Sequence, residues 1–254
     1  QFAPSPGTTG GKVLLAELSA FEEDHPGWQI EVRIKTVNGE GGLINSLQTT
    51  LRAAPNLSPD VIALDSPMLM EAAPVVQPLD TYLVADGLAD YYPFALQAAR
   101  VNNQLDGLPF AADALGLVYS TTAYTVPPQT WIDLHDVGPL WLPLADPAAL
   151  VTLQQYLSLG GALTDTAGEP SMDPVLLAEV LAHYQVMQIA GSLPAASFSV
   201  SDLSQTWTTY RENRAVAASA FADQYLADHS RVAGTAFTLI PTRDGNRLTL
   251  TNQW

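Results

Sequence analysis

The sequence predicts an α/β fold, and three observations carry that prediction. Helical stripes alternate with short extended runs at the spacing of βαβ units, which implies a largely parallel sheet in the first part of the chain. Near the middle, Leu115, Gly116, Leu117, Val118 and Tyr119 have the β-branched and aromatic bias of a buried strand. The 254 residues, 47% of them hydrophobic, are enough for a substantial core and for two lobes.

The elements follow in order. Residues 12–24 place Leu14, Leu18 and Phe21 on one helical face, and His25-Pro26-Gly27 breaks that helix. In 29–37, Ile30, Val32 and Ile34 alternate with Glu31, Arg33 and Lys35, the period of a half-exposed strand. The turn Gly39-Glu40-Gly41-Gly42 leads to a second helix with a Leu43, Leu47, Leu51 stripe. It lacks the Lys-Ser/Thr that a phosphate cradle needs, so a strand-to-helix turn explains it. After Ser58-Pro59, residues 60–64 read as a short apolar strand, and Ser66-Pro67 supplies an N-cap and first-turn proline for a helix through Ala73.

The central strand ends at Pro127-Pro128, and Thr130-Trp131 starts a helix. Residues 139–144 read as a strand, 147–159 as a helix ending at Gly160-Gly161, and 173–189 as a longer helix begun by Asp173-Pro174. A helix is expected at 206–213. A small apolar strand at 215–221 then precedes a loop at 222–228.

The stretch 105–134 contains Gly107-Leu108-Pro109, then Asp113, then Leu117-Val118-Tyr119-Ser120, then Pro127-Pro128-Gln129-Thr130-Trp131. In this order the residues resemble the first hinge of the extracellular solute-binding proteins of ABC importers, family 1, the group that includes the maltodextrin-binding proteins. Ser120 stands where that family has Asn. The junction from Phe21 through Pro26 to Val32, the run Pro59-Asp60-Val61 to Asp65, Pro78-Leu79-Asp80 and the segment 234–245 resemble further stations of the same family, the last its second hinge. The resemblance implies a two-lobed periplasmic-binding-protein-like fold of type II, with one lobe from 1–112 plus 237–254 and the other from 113–236. Members start with a strand and ligand loop of which 1–11 matches only the tail, and they continue past Trp254. An incomplete version of the fold is therefore expected.

Composition narrows the function. Twenty-six acidic against ten basic residues give a formal charge of −16, which opposes any surface tracking nucleic-acid phosphates or anionic lipid. Without cysteine there is no disulfide, thiol nucleophile or Cys-type zinc site. No run is long and apolar enough for a membrane span, and the first residues are not a signal segment. No G-x-S-x-G elbow, Walker loop or H-E-x-x-H is present, and His25, His135, His183 and His229 lack ligand spacing. Neither metal nor cofactor is expected.

The resemblance implies a binding protein and not an enzyme, one that captures a small solute, a mono- or oligosaccharide, between closing lobes and presents it to a membrane permease. A monomer in an extracytoplasmic place is expected, as a cell-surface lipoprotein or in the periplasm. Such a cleft needs polar groups for hydroxyls and aromatic rings for apolar sugar faces. Asp65 and Ser66 end a strand, where open α/β sheets bind ligands, although Ser66 also suits a helix N-cap. Asp113 lies at the family's hinge carboxylate, and amid Phe110, Ala111, Ala112 and Ala114 it needs a partner in any case. Asp146 matches an acidic residue before proline, and Asp-Pro is also a helix start. Asp223, Gln224 and Tyr225 stand where the maltodextrin group carries an aromatic platform, here without its Gly-Pro. Trp254 matches a cleft aromatic, while Trp28, Trp131, Trp141 and Trp207 are assigned to packing. Two other classes stay open: a carbohydrate-active hydrolase, because carboxylates are many and their separations unknown, and a sensory or scaffold module of the same fold.

Overall fold

A computed structural model of the chain describes residues 9–36, 39, 41–83 and 85–253. Trp254 and residues 1–8 lie outside them. The chain divides into two compact units, one formed by 1–90 and 99–108, the other by 91–98 and 109–254. In the packing of this chain, 237–253 lie with the second unit, because two strands of that stretch pair with the central strand described below.

The first unit holds α1 (Thr9–Asp24), α2 (Leu43–Ala53) and α3 (Ser66–Ala72). Leu47, Leu64 and Ala72 form its small core, with Leu43, Leu51, Ile62, Met68 and Leu69 against them. The N-cap of α3 is Asp65, whose Oδ1 accepts the Met68 N–H at 2.8 Å; the expected cap, Ser66, is the first helical residue. The carboxylate wins because it sits one residue earlier, in extended geometry that aims it at the third amide of the helix.

The expected strands at 29–37 and 60–64 are a correction. Among the described residues neither forms a ladder, and the expected largely parallel sheet does not form there. Alternation specifies which side chains face inward, but a strand exists only where a second backbone accepts its hydrogen bonds. The unit's pairing is a two-stranded hairpin, β1 (Arg100–Val101) with β2 (Gln104–Leu105), closed by Asn102 and Asn103 at φ of 50° and 69°. Asp80 braces it, accepting the Leu105 N–H at 2.8 Å and pairing with Arg100 at 3.2 Å.

The second unit contains α4 (Pro93–Ala98) and is organised by one strand, β3 (Ala112–Ser120). The remaining elements are β4 (Leu140–Trp141), α5 (Leu150–Ser158), α6 (Pro174–Ala190), α7 (Leu203–Arg211), β5 (Ala217–Phe221), α8 (Ala222–Asp228), β6 (Thr235–Thr238) and β7 (Thr251–Gln253). Strand β3 pairs antiparallel with β5 over 115–119, with β6 over 117–120 and with β7 over 112–114, and β4 joins β5 in parallel. The sheet is thus mixed and mostly antiparallel.

Strand alternation sends Leu115, Leu117 and Tyr119 to one face, where they meet Val151 and Tyr156 of α5 and Val180, Tyr184 and Met187 of α6. Val118 joins Ala218, Ala220, Trp207 and Tyr210 in a second cluster. Gly116 is dictated by that cluster: a Cβ there would collide with the Phe237 ring and lie 2.6 Å from the Thr238 carbonyl oxygen. Several ends differ from expectation. The strand at 139–144 shortens to β4, and the helix at Trp131 is a single 3-10 turn, Trp131–Leu134. Helix α7 starts three residues early because Asp202 caps the Gln205 N–H at 3.0 Å. Trp131 and Trp207 are buried, but Trp28 is exposed, its ring meeting Phe21 edge-on, which corrects its assignment to packing.

Candidate functional site around Asp113 and helix α8

The site begins with one buried carboxylate. Asp113 lies in β3, 8% exposed, on the stretch that pairs with β7. Its Oδ1 accepts the N–H of Ala114 at 2.9 Å and that of Asp223 at 3.1 Å, across 110 residues of sequence. Asp223 is the second residue of α8, so a carboxylate from the central strand satisfies an amide that the helix leaves unpaired at its N-terminus. Burial pushes the Asp113 carboxyl up to about 6; the Asp223 amide opposes this, and the negative charge of Asp223 adds to it. Asp223 itself is exposed.

The stretch expected as a ligand loop, 222–228, is helix α8, a correction with a visible cause. Gln224 turns back so that its Oε1 accepts the Phe221 N–H at 2.9 Å, which with Asp113 supplies the helix with its N-terminal partners. Tyr225, half-buried, stacks on Phe237 at 5.6 Å and donates its hydroxyl to the Thr235 carbonyl at 3.4 Å. Thr235 in turn shares a 3.0 Å hydrogen bond with the Tyr210 hydroxyl. Asp113 is therefore joined to α8, the helix that carries Asp223, Gln224 and Tyr225.

The other expected residues stand elsewhere. Asp146 spends both oxygens on backbone, accepting Ala148 N–H at 3.0 Å and Leu150 N–H at 3.2 Å, and so starts α5. Asp65 and the half-buried Ser66 belong to the first unit, and Trp254 lies outside the described residues. Sequence reasoning missed Tyr210, Thr235 and Phe237 as the support of Tyr225. The signal was Gly116, a residue without a side chain amid strand formers, which marks where a ring crosses the sheet. A surface depression of about 410 Å3 lined by Tyr124, Val126, Pro127, Pro128, Gln129 and Asp133 contains none of the expected ligand residues. Among the described residues no group of three or more His, Cys, Asp or Glu could hold a metal ion, and no helix is long and apolar enough to cross a membrane.

Comparison with known proteins places this geometry. The model of the bacterial extracellular solute-binding protein family matches residues 5–194. A maltotriose-binding protein of Pyrococcus abyssi is 31% identical over 65 residues, 26% of this chain and 14% of the length of that relative. Among solved structures, the maltose-bound MalE3 of T. maritima matches with a TM-score of 0.72 at 19% identity, over 96% of this chain and 67% of that one. The sugar-binding protein MalE of Xanthomonas citri matches with a TM-score of 0.76 at 19% identity, over 97% and 68%. The fold is accordingly the two-lobed, periplasmic-binding-protein type, present over about two thirds of the length of those structures. With the family model matching well over half of its residues, the chain belongs to the bacterial extracellular solute-binding proteins.

Proposed function

We propose that the chain is the substrate-capture component of an ABC importer and that its solute is a carbohydrate, a mono- or oligosaccharide. Family membership supports the class. The observation that carries the ligand chemistry is Asp113, a buried acceptor joined to the N-terminal amide of α8, the helix that also bears the exposed carboxylate of Asp223 and the ring of Tyr225. Sugars present hydroxyls that donate and flat apolar faces that cover rings, and this arrangement offers a counterpart to each. The proposed ligand residues are Asp65, Ser66, Asp113, Asp146, Asp223, Gln224, Tyr225 and Trp254. Asp113 ranks first; Asp146 and Gln224 rank last, since the backbone already occupies their oxygens.

In the complete protein, closure of two lobes adds contacts that the open form lacks, and the closed form is what a membrane permease recognises. The protein binds without catalysis, uses no metal or cofactor, and works as a monomer outside the cytoplasm, as a lipoprotein or in the periplasm.

The test is calorimetry on the full-length mature protein with a panel of sugars chosen by thermal shift. Losing a charged hydrogen bond costs about 1.5 to 3 kcal/mol, so Asp113→Ala should weaken binding roughly ten- to a hundredfold, and Asp113→Asn by less, since its amide keeps an acceptor. Unchanged affinity in the alanine variant removes Asp113 from the site. Oligosaccharides incubated with the protein should stay intact by chromatography; cleavage abolished by Asp113→Asn would instead establish a hydrolase.

A further inference from the structure

The second unit contains a stack of three rings that the proposed sugar site does not use. Trp131, in the 3-10 turn after Thr130, lies face to face with His183 of α6 at 4.0 Å and 6°. The His135 ring lies 5.7 Å from that of His183, at 22°. His183 is 7% exposed, and His135 Nε2 is buried with no hydrogen-bond partner. A buried ring nitrogen normally has a partner, so the orphaned His135 Nε2 marks the stack as poor in compensating hydrogen bonds.

The same indole anchors the segment 239–246. Trp131 Nε1–H donates to Gln155 Oε1 at 2.7 Å, and Gln155 Nε2–H donates onward to the Pro241 carbonyl at 3.0 Å. The Trp131 backbone N–H donates to the Thr242 carbonyl at 3.0 Å, and the Thr242 N–H to the Gln129 carbonyl at 3.2 Å. The indole, through Gln155, and the backbone of its turn thus tie that segment down together. We propose that the Trp131–His183–His135 stack is an acid-sensitive latch: with the His183 imidazole neutral it holds 239–246 against α5 and the 3-10 turn, and protonation of His183 releases it.

Charge decides the sign. On α6 the titratable neighbours are Glu179, committed to Arg243 at 2.7 Å, and the buried Tyr184, whose hydroxyl burial pushes up and keeps neutral. Around the 3-10 turn they are His135, Asp136 and Asp133; one oxygen of Asp133 accepts the amides of Gln129 and Thr130 and the Thr130 hydroxyl. Helix α5 contributes Tyr156 and no charge, and 239–246 contributes Arg243 and Asp244, paired with each other at 2.9 Å. Among the described residues no ion pair reaches either imidazole. A cation on His183 would gain attraction from the Trp131 face, yet it would be buried without a counter-ion beside a second imidazole. Burial first, then the like charge of His135, push His183 down to about 4. In the released form an imidazole titrates near 6.5, so release takes up a proton between about 6.5 and 4, and its equilibrium constant grows as pH falls through that window.

The experiment is amide exchange at Trp131 and Thr242 in the full chain from pH 7 to pH 4, corrected for intrinsic exchange, with imidazole NMR titration alongside. Wild type should lose at least tenfold in protection at both amides, whereas His183→Phe, which keeps a stacked ring without a titratable nitrogen, should lose less than threefold. Wild-type protection that persists to pH 4, or an equal loss in His183→Phe, overturns the latch. Should His183→Phe fail to fold, His135→Asn serves: removing the like charge should move the His183 midpoint to higher pH, and an unmoved midpoint overturns the coupling between the rings.

Discussion

Residues 60–64 of the first unit and β3 of the second are both short apolar runs, yet one has no strand pairing and the other organises a five-stranded sheet. In 60–64, Ile62 and Leu64 turn inward while Val61 is 88% exposed, so the alternation of a strand is present without its ladder. In β3, Leu115, Leu117 and Val118 are fully buried and three strands pair along its length. Side-chain pattern determines which residues face a core. Neighbouring backbone determines whether the run becomes a sheet.

The largest expected effect tests that difference directly. Leu117→Ala removes buried methyl groups from between β3 and helices α5 and α6, and should cost about 3 kcal/mol in denaturant unfolding. Val61→Ala removes a side chain already in water and should stay within about 0.5 kcal/mol. Comparable losses from the two substitutions would mean that 60–64 is as deeply packed as β3.

A second, smaller effect concerns what holds β3 to α8. The folded Asp113 carboxyl sits at about 6, above the roughly 3.9 of an unfolded aspartate. Between those values the folded state binds the extra proton, so the contribution of this group is present below about pH 4 and is lost as pH rises through 6. The shift corresponds to about 2 to 3 kcal/mol at most, and coupling to the Asp223 charge makes the lower figure the better expectation. Asp113→Asn, which retains an oxygen for the amides of Ala114 and Asp223, should abolish this part of the pH profile between 4 and 6. A profile that is the same in wild type and Asp113→Asn would mean that the carboxyl titrates as though in water.

These contrasts show how much was legible in the residues. The stripe of Leu43, Leu47 and Leu51 and the Asp173-Pro174 start are local chemistry, and the helices α2 and α6 follow from side chains a few positions apart; the Asp202 cap is equally local but went unread, so α7 begins ahead of the expected 206. The apolar run from Leu115 to Tyr119 likewise identified the central strand. The need of Asp113 for a partner was legible from its apolar neighbours, but the partner was not, because the Asp223 amide lies 110 residues away and an amide carries no signature of its own. The same distance hid the order of strands around β3. Helix α8 was hidden for another reason: its N-terminus is completed by Asp113, outside its own segment, so local residues understate its helical character.

The smallest effect separates a cap from a ligand contact in the first unit. Asp65 Oδ1 accepts the Met68 N–H at 2.8 Å, and replacing such a cap by alanine typically costs about 1 kcal/mol. Asp65→Ala should therefore raise amide exchange at Met68 and Leu69 roughly fivefold, while Asp65→Asn, which keeps an oxygen in the capping position, should leave it nearly unchanged. Ser66→Ala should be close to neutral, since Ser66 lies within the helix and its hydroxyl is not the cap. The Asn variant also separates the two roles proposed for this residue: it preserves the helix start and removes the charge. A fall in sugar affinity with unchanged exchange at Met68 would assign Asp65 to the ligand. Unchanged affinity with exchange rising only in the alanine variant would leave it a helix cap and would limit the carboxylate chemistry of the site to the second unit.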